Sequence, residues 1–158
     1  MLPIVVRQAT ASDLETLYRF QQGILAAERP FDSTIKDGPV QYYDIPGLLA
    51  SNQVMFVIAE TGAEIVGCGF ARIEVAKPYL KHSMHGYLGL MYVDPEYRGQ
   101  SVSRKIIDAL KGRCGSRGIT ELRLEVYHGN AAAIRAYEKA GFRSLMLEMR
   151  LGLGDGGE

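Results

Sequence analysis

A strand that runs directly into a helix constrains the fold of this chain more than any other feature. The apolar run from Tyr87 to Val93 is typical of a β-strand, and Pro95 ends it in a turn. Small residues follow, and an amphipathic helix begins near Ser101. The backbone N–H groups of residues 99–104 then lie at a helix N-terminus, where they lack intrahelical partners. Together with the helix dipole, they predict an anion site suited to a phosphate-bearing ligand.

Basic side chains surround this turn, at Arg98, Arg104 and Lys105. The turn is not a Walker A loop, because G-x-x-x-x-G-K-S/T does not occur, and the dinucleotide pattern G-x-G-x-x-G is absent too. An ordinary strand-to-helix loop is the alternative, so the phosphate interpretation depends on a second signal in the chain.

Hydrophobic periodicity predicts an alternation of strands and helices along the whole chain. Strands are expected at residues 4–8, 54–60, 64–75, 84–93, 122–126 and 144–151. Helices are expected at residues 12–27, 40–50, 101–117 and 131–140. The three central strands should pair antiparallel, whereas the late strand–helix–strand unit requires a parallel pair. The result is a mixed sheet with helices on both faces, and a gap can open where the pairing changes.

Length and charge limit the class of protein. A chain of 158 residues can bury one core, so we expect a single domain over residues 1–151 and a flexible tail over residues 152–158. Because 18 basic residues balance 18 acidic ones, no net charge draws the chain to nucleic acid or to a membrane surface. The cysteines, Cys68 and Cys114, lack C-x-x-C spacing, and no signal peptide or long apolar stretch occurs. We therefore expect a cytoplasmic protein.

One histidine pair is spaced like metal ligands. His82 and His85 form an H-x-x-H motif, but no third ligand follows at a spacing typical of zinc sites. We therefore expect no metal.

Two separated motifs supply the second signal. The first reads Val93-Asp94-Pro95-Glu96-Tyr97 followed by Arg98-Gly99-Gln100-Ser101-Val102-Ser103, and the second comprises Asn130, Ala133, Tyr137, Gly141 and Phe142. On these residues the chain resembles the GCN5-related N-acetyltransferase (GNAT) superfamily. That family's patterns are V-x-P-x-Y, then R/Q-x-x-G-x-G/A, and later N-x-x-A-x-x-x-Y-x-x-x-G-F. The predicted order of elements matches the family from residue 4 to about residue 151.

The resemblance implies both a fold and a function. The fold would be a GNAT-like, mixed and mostly antiparallel α/β sheet of six to seven strands, flanked by about four helices and splayed between the fourth and fifth strands. The function would be transfer of an acetyl group from acetyl-CoA to a primary amine by direct attack in a ternary complex. A small-molecule amine is the expected acceptor, and family members often form homodimers.

The resemblance also places the cofactor. Backbone N–H groups of residues 99–103 would hold the pyrophosphate, and Met91 and Val93 would pair through their backbones with the pantetheine amides. Asn130 would contact the pantetheine arm, although a role as helix N-cap is equally compatible with its position. The residues assigned to the cofactor are Met91, Tyr92, Val93, Arg98, Gly99, Gln100, Ser101, Val102, Ser103, Arg104, Asn130, Ala133 and Tyr137.

The chain departs from the family pattern at both motif glycines, which are Ser101 and Ser103 here. Glycine lets the backbone approach the pyrophosphate because it has no Cβ. Serine is small and its hydroxyl can donate to a phosphate oxygen, so we expect the phosphate site to persist with altered cofactor affinity.

The resemblance assigns Tyr137 as the acid that protonates the departing thiolate, a role that a phenol can fill. The base is open, because the family's usual glutamate position falls near Tyr87 in this chain. His85 lies two residues away on the same strand face and has a suitable ordinary pKa. Glu74 and Glu125 are further candidates on neighbouring strands, where a surface or cross-strand role is the alternative.

Acceptor selection is expected from residues 27–49 and the connection at residues 77–84. Glu28 and Asp32 lie there close to Phe31 and Tyr43, and carboxylates beside aromatic rings suit a cationic amine. A solvated loop is the alternative. Two other functions also fit the motifs, namely a non-catalytic acyl-CoA sensor and an acetyltransferase for protein lysines or N-termini.

Overall fold

The computed structural model describes residues 2–154. They divide into two compact units, one ending at Glu125 and the other beginning at Val126. The first unit contains a five-stranded sheet in sequential order. Its strands are β1 Ile4–Gln8, β2 Val54–Thr61, β3 Glu64–Val75, β4 Met84–Val93 and β5 Leu122–Arg123. The first four pair antiparallel and β5 is parallel to β4, so the predicted mixed sheet is confirmed.

Residues 2–154 contain four α-helices, and none of them is long and apolar enough to cross a membrane. They are α1 Leu14–Glu28, α2 Ile45–Ala50 and α3 Val102–Gly115 in the first unit and α4 Ala131–Lys139 in the second. The helix predicted for residues 40–50 starts later, because Asp44 caps it and accepts the Gly47 N–H at 3.2 Å. Pro46 occupies the first turn, where a missing N–H costs no hydrogen bond.

Alternate residues of β3 face opposite layers of the first unit. Cys68 and Phe70 are fully buried in a cluster with residues of α1 and α2. Gly67 faces the other way, since a Cβ added to it would lie 3.1 Å from side-chain atoms of both Val102 and Ile106 on α3. This period of two means that the sheet lies between α1 and α2 on one face and α3 on the other.

An ion-pair network joins β1 and β2 to the start of α1. The Arg7 guanidinium donates to both carboxylate oxygens of Asp13, at 2.9 Å each, and to Glu60 Oε1 at 3.1 Å. Asp13 also accepts the Thr10 backbone N–H at 2.8 Å, as the acid of a capping box. These hydrogen bonds, the one from Arg7 foremost, hold the pKa of Asp13 below its ordinary value although the side chain is buried.

A bulge interrupts β4 shortly before its end. The register between β3 and β4 shifts between Cys68 and Phe70, and Leu90 opposite them adopts a left-handed φ of 47°. The Cys68 thiol donates to the Leu90 carbonyl at 3.2 Å inside the core. Such a bulge re-aims the backbone groups that follow it along the strand.

The last predicted strand, at residues 144–151, is not formed, and the sheet therefore has five strands where six to seven were expected. A strand persists only when a neighbour satisfies its N–H and C=O groups, and the described residues supply none to this segment. Leu145 and Met146 are 91% and 89% exposed. For the same reason the strand predicted at residues 122–126 shortens to Leu122–Arg123.

The single domain over residues 1–151 stays a prediction. Residues 152–154 have no regular structure, and the rest of the predicted tail, residues 155–158, lies outside the described part of the chain.

Candidate active site

The turn between β4 and α3 presents a row of backbone N–H groups. A short 3₁₀ turn, Pro95–Tyr97, follows β4, and the first backbone bond of the helix joins the Lys105 N–H to the Ser101 carbonyl at 3.1 Å. Within residues 2–154, no hydrogen bond engages the N–H groups of residues 99–103. Gly99 and Ser101 have left-handed φ values of 81° and 64°. The predicted unpaired amides therefore lie together at the N-terminus of α3.

The two serines of the motif occupy different environments. Ser101 takes the left-handed conformation that glycine adopts without cost, and for serine this costs about 1 kcal/mol. Its side chain is exposed and forms no cap to the helix. Ser103 lies within the first turn of α3 and is half-buried. Only Ser101 thus carries backbone strain in place of the family glycine.

Hydrogen bonds fix this turn to the neighbouring strand β3. Asp94 donates its N–H to the Val66 carbonyl at 2.8 Å and accepts the Glu96 N–H on its side chain at 2.9 Å. The Tyr97 hydroxyl donates to Glu64 at 2.6 Å. Arg98 and Arg104 are exposed at its edge. The row of N–H groups therefore begins at a turn that is hydrogen-bonded to β3.

The strand leading to the turn has an open side. β5 pairs with β4 only at Gly86 and Tyr87, so no strand within residues 2–154 pairs with that side of β4 beyond Tyr87. Because Asp94 bonds towards β3 and the bonding direction alternates along a strand, Met91 and Val93 direct their N–H and C=O groups to the open side. Tyr92 faces β3 instead, and its ring lies 4.8 Å from that of Phe20 on α1.

A cavity of about 430 Å³ lies where β4 and β5 part. Its wall is formed by Arg72, Glu74, His85, Tyr87, Arg123, Leu124 and Glu125. The Tyr87 hydroxyl donates to Glu125 Oε1 at 3.0 Å, and Arg72 lies over the Tyr87 ring at 5.3 Å. Glu74 accepts from Arg72 at 2.9 Å and contacts His85 Nε2 at 3.3 Å. The structure thus brings both sequence candidates, His85 and Tyr87, to one cavity.

The protonation of Tyr87 follows from its burial. Burial raises the pKa of its phenol far above the ordinary value, and the nearby Tyr43 and Glu125 raise it further. The hydroxyl stays protonated at neutral pH, so Tyr87 acts in this cavity as a hydrogen-bond donor. Glu125, by contrast, is exposed at the cavity mouth.

The predicted acceptor residues divide between two environments. Glu28 is half-buried and its Oε1 atom has no hydrogen-bond partner in the described structure, and burial raises the pKa of its carboxyl. Asp32 lies close enough to raise that pKa further, whereas Phe31 is 41% exposed. Tyr43 packs edge-on against Phe70 at 5.3 Å, and burial raises the pKa of its hydroxyl.

Electrostatic interactions link Glu28, through Tyr43, to Tyr87 in the cavity wall. The charge of Glu28 raises the pKa of Tyr43, and Tyr43 in turn raises that of Tyr87. Arg72 lies 6.0 Å from the Phe70 ring, beside Tyr43, and 5.3 Å from the Tyr87 ring. Tyr43, one of the residues predicted to select the acceptor, therefore lies next to the cavity wall.

The second motif forms a capped helix in the second unit. Asn130 accepts the Ala133 N–H on its side chain at 3.2 Å, so its role as N-cap is confirmed. Gly141, with a φ of 105°, ends α4, and the Phe142 N–H bonds back to the Tyr137 carbonyl at 3.0 Å. Tyr137 is half-buried, and its ring packs edge-on against Phe142 at 5.9 Å.

Comparison with known proteins decides the family. The profile of the acetyltransferase (GNAT) family matches residues 15–142, which is most of the chain. The chain belongs to the acetyltransferase (GNAT) family.

Among relatives of this GNAT chain, an IAA acetyltransferase from Azospirillum brasilense is 29% identical over 94 residues, covering 60% of the chain and 58% of the relative. The ribosomal protein bS18-alanine N-acetyltransferase of Escherichia coli is 44% identical over 50 residues, covering 32% and 34%. The chain spans less than two thirds of the length of several such relatives, namely 58%, 37% and 50% in three cases.

A solved structure supports the GNAT fold. A predicted acetyltransferase from Clostridium acetobutylicum, crystallised with acetyl-CoA, superposes with a TM-score of 0.72 at 22% identity, covering 96% of this chain and 97% of that one.

Of two carboxylates near the cavity, the sequence analysis included one and missed the other. Glu125 is one of its further base candidates, with a surface or cross-strand role as the alternative, and in the structure it accepts a hydrogen bond from Tyr87. Glu121 lies beside His82, at 3.5 Å from its Nε2 atom, as the third group that the H-x-x-H spacing lacked. No spacing rule finds it, because the strand pairing of Gly86 with the Glu121 carbonyl brings it there.

Proposed function

We propose that this GNAT protein transfers an acetyl group from acetyl-CoA to the primary amine of a small molecule, by direct attack within a ternary complex. The observation that carries the proposal is the row of unengaged N–H groups at residues 99–103, which follows directly on the open side of β4. A pyrophosphate is the ligand that such a row at a helix N-terminus suits best.

The cofactor would bind along β4. The pyrophosphate would accept from the N–H groups of residues 99–103, with Arg98 and Arg104 at the rim. The pantetheine arm would pair with the outward backbone groups of Met91 and Val93, as a further strand would. That geometry would carry the thioester towards the cavity beside Tyr87.

The chemistry requires a base and an acid. An amine in the cavity would lose a proton to Glu125, directly or through water, and its nitrogen would attack the thioester carbonyl. The new C–N bond forms as the C–S bond breaks, and Tyr137 would return a proton to the CoA thiolate. Tyr87 would hold Glu125 in place through its hydrogen bond.

We assign the role of base to Glu125 and not to His85, because the Glu125 side chain is the more exposed of the two. The His85 side chain is 7% exposed and its Nε2 atom already contacts Glu74. Glu125 is exposed at the cavity mouth, where an entering amine can reach it.

A cationic acceptor would suit the two acidic side chains Glu28 and Asp32. Glu28 offers a buried oxygen without a partner among the described residues, and Asp32 adds charge nearby. An ammonium group could donate to that oxygen while Tyr43 and Phe31 supply aromatic contact. Losing the Glu28 carboxylate would then weaken acceptor binding more than turnover.

A second candidate acceptor is the N-terminal amine of a protein. It is favoured by the 44% identity over 50 residues to the ribosomal protein bS18-alanine N-acetyltransferase. The two acceptors differ in size and not in reacting group, so the same base and acid would serve both.

Calorimetric titration with acetyl-CoA, followed by a screen for CoA thiol release, tests the proposal. The screen should include diamines, amino sugars and peptides with a free N-terminus. We expect micromolar binding and turnover with at least one small amine. Binding without thiol release for any acceptor would indicate a sensor, and exclusive turnover of peptides would indicate the protein-modifying alternative. Absence of binding heat would overturn the cofactor assignment.

A further inference from the structure

Three side chains that can bind a metal meet beside the acceptor cavity. His82, His85 and Glu121 each place one donor atom within 4.8 Å of the others. One of these contacts joins His82 Nε2 to Glu121 Oε2 at 3.5 Å. Donors bound tetrahedrally to one zinc ion at about 2.0–2.1 Å lie roughly 3.4 Å apart. One pair therefore already has the required spacing, and small side-chain movements would bring in the third donor.

The two histidines each have a buried nitrogen that forms no hydrogen bond with a described residue. His82 Nε2 and His85 Nδ1 are both buried and form no hydrogen bond with any described residue. An unsatisfied buried nitrogen is costly, so its presence twice in one cluster calls for a ligand. A cation that accepts both lone pairs would satisfy both atoms at once.

The surroundings of His85 prepare it for this role. Its Nε2 atom lies 3.3 Å from Glu74 Oε1, so an N–H on Nε2 donates to the carboxylate. The lone pair is then left on Nδ1, the atom without a partner. A carboxylate that holds the far side of a histidine in this way is the usual support for a metal-binding imidazole. Glu74 in turn accepts from Arg72, which keeps it in place.

Glu121 also forms an ion pair with the side chain of Arg123. Arg123 donates from Nε to Glu121 Oε2 at 2.5 Å. This guanidinium contact favours the ionised carboxylate, which is the form that binds a metal. A carboxylate has lone pairs on both oxygens, so it can bind an ion while Arg123 remains its hydrogen-bond partner.

We propose that His82, His85 and Glu121 bind one divalent zinc-type ion, with an open fourth position. Two imidazoles and one carboxylate are a ligand set that zinc and its neighbours in the first transition row prefer, and that Mg²⁺ does not. The ion would join the connection at residues 77–83 to the start of β5. Since His85 also lines the acceptor cavity, metal binding would fix one wall of that cavity.

The test uses the untagged full-length chain after removal of metal with a chelator. Zn²⁺ is titrated by calorimetry, and Co²⁺ is followed by visible absorption, which reports a tetrahedral site. We expect one ion per chain, a Co²⁺ band between about 500 and 700 nm, and a melting temperature raised by about 5 °C at a hundredfold excess over Kd. Mg²⁺ should produce none of these.

Variants distinguish metal binding at the cluster from adventitious binding elsewhere on the surface. His82→Ala and Glu121→Gln should each weaken Zn²⁺ binding at least tenfold and abolish the Co²⁺ band, with circular dichroism confirming the fold. His128→Ala is the matched control, since His128 is exposed and outside the cluster, and it should bind as wild type. Unchanged Zn²⁺ affinity in His82→Ala, or equal losses in all three variants, would overturn the proposal. These readouts need no acetyl transfer, so they stand or fall apart from the proposed activity.

Discussion

The Tyr87 hydroxyl on β4 donates a hydrogen bond of 3.0 Å to Glu125, the residue with which the first compact unit ends. The two side chains reach each other from strands that pair at only two positions, Gly86 with Leu122 and Tyr87 with Arg123. Burial keeps Tyr87 protonated, so the hydrogen bond has one direction and holds the carboxylate at the cavity mouth. A carboxylate at the position where the strands part can meet both an entering amine and a cofactor lying along β4.

Replacing Glu125 by Gln should lower kcat by about a hundredfold, because general base catalysis typically contributes 10²–10⁴ and water can replace part of it. The amide still accepts from Tyr87, so we expect a change in melting temperature of less than about 2 °C. Steady-state thiol release with the best acceptor measures the effect. Glu15→Gln, an exposed carboxylate in the first turn of α1, is the control and should keep full turnover. Equal kcat in the two variants would remove Glu125 as the base.

Ser101→Gly should stabilise the protein. Ser101 has a φ of 64°, and removing its Cβ relieves about 1 kcal/mol of strain at that left-handed position. We expect a melting temperature higher by about 2–4 °C and a CoA dissociation constant that falls a few-fold, because the backbone can approach the pyrophosphate more closely. Differential scanning calorimetry and CoA titration measure the two effects.

The contrast for that prediction is Ser103→Gly. Ser103 lies within α3, where glycine costs about 0.5 kcal/mol relative to serine, so the melting temperature should fall. If Ser101→Gly destabilises as much as Ser103→Gly does, the strain at residue 101 is not released by glycine.

The sequence predicted those elements whose signals are local. The runs at residues 4–8, 64–75 and 84–93 agree with β1, β3 and β4 residue for residue, since alternation and flanking turn residues define them. The amides at residues 99–103 were predicted because a proline turn and a helix start lie side by side in sequence. The proposed phosphate site is thus the part of the candidate active site that the local sequence predicts most directly.

What escaped prediction depends on pairing between distant segments. The apolar run at residues 144–151 has a strand pattern but no neighbouring strand in the described residues, and a pattern cannot report whether a partner is present. The bulge at Leu90 likewise has no local signal, because it follows from the register with β3. Glu121 joins His82 only through the parallel pairing of β4 and β5.

Tyr137→Phe should lower kcat by about tenfold to a hundredfold and leave the KM for acetyl-CoA nearly unchanged, because only the proton donated to the leaving thiolate is lost. Since a tyrosine can donate this proton only while its phenol is protonated, and a phenol ordinarily has a pKa of about 10, the defect should shrink as pH approaches 10. Turnover measured from pH 6 to pH 10 tests this. Tyr127→Phe, a tyrosine of the second unit outside the assigned site residues, is the control. A defect that is the same at every pH would indicate a structural role for Tyr137.

Asp13→Asn should destabilise the first unit by about 2 kcal/mol at neutral pH, since it removes hydrogen bonds between a buried carboxylate and the Arg7 guanidinium. The folded state lowers the pKa of Asp13 below its ordinary value of 3.8, so the stabilisation is complete above that pH and is lost as pH falls through the folded-state pKa. The wild type should therefore lose its advantage over the variant progressively as the pH falls below 3.8, as measured by urea unfolding between pH 2 and 7. Asp108→Asn is the control, because its bond to Arg104 is exposed and should contribute less than about 0.5 kcal/mol. An Asp13 variant whose stability deficit stays constant down to pH 2 would contradict the lowered pKa.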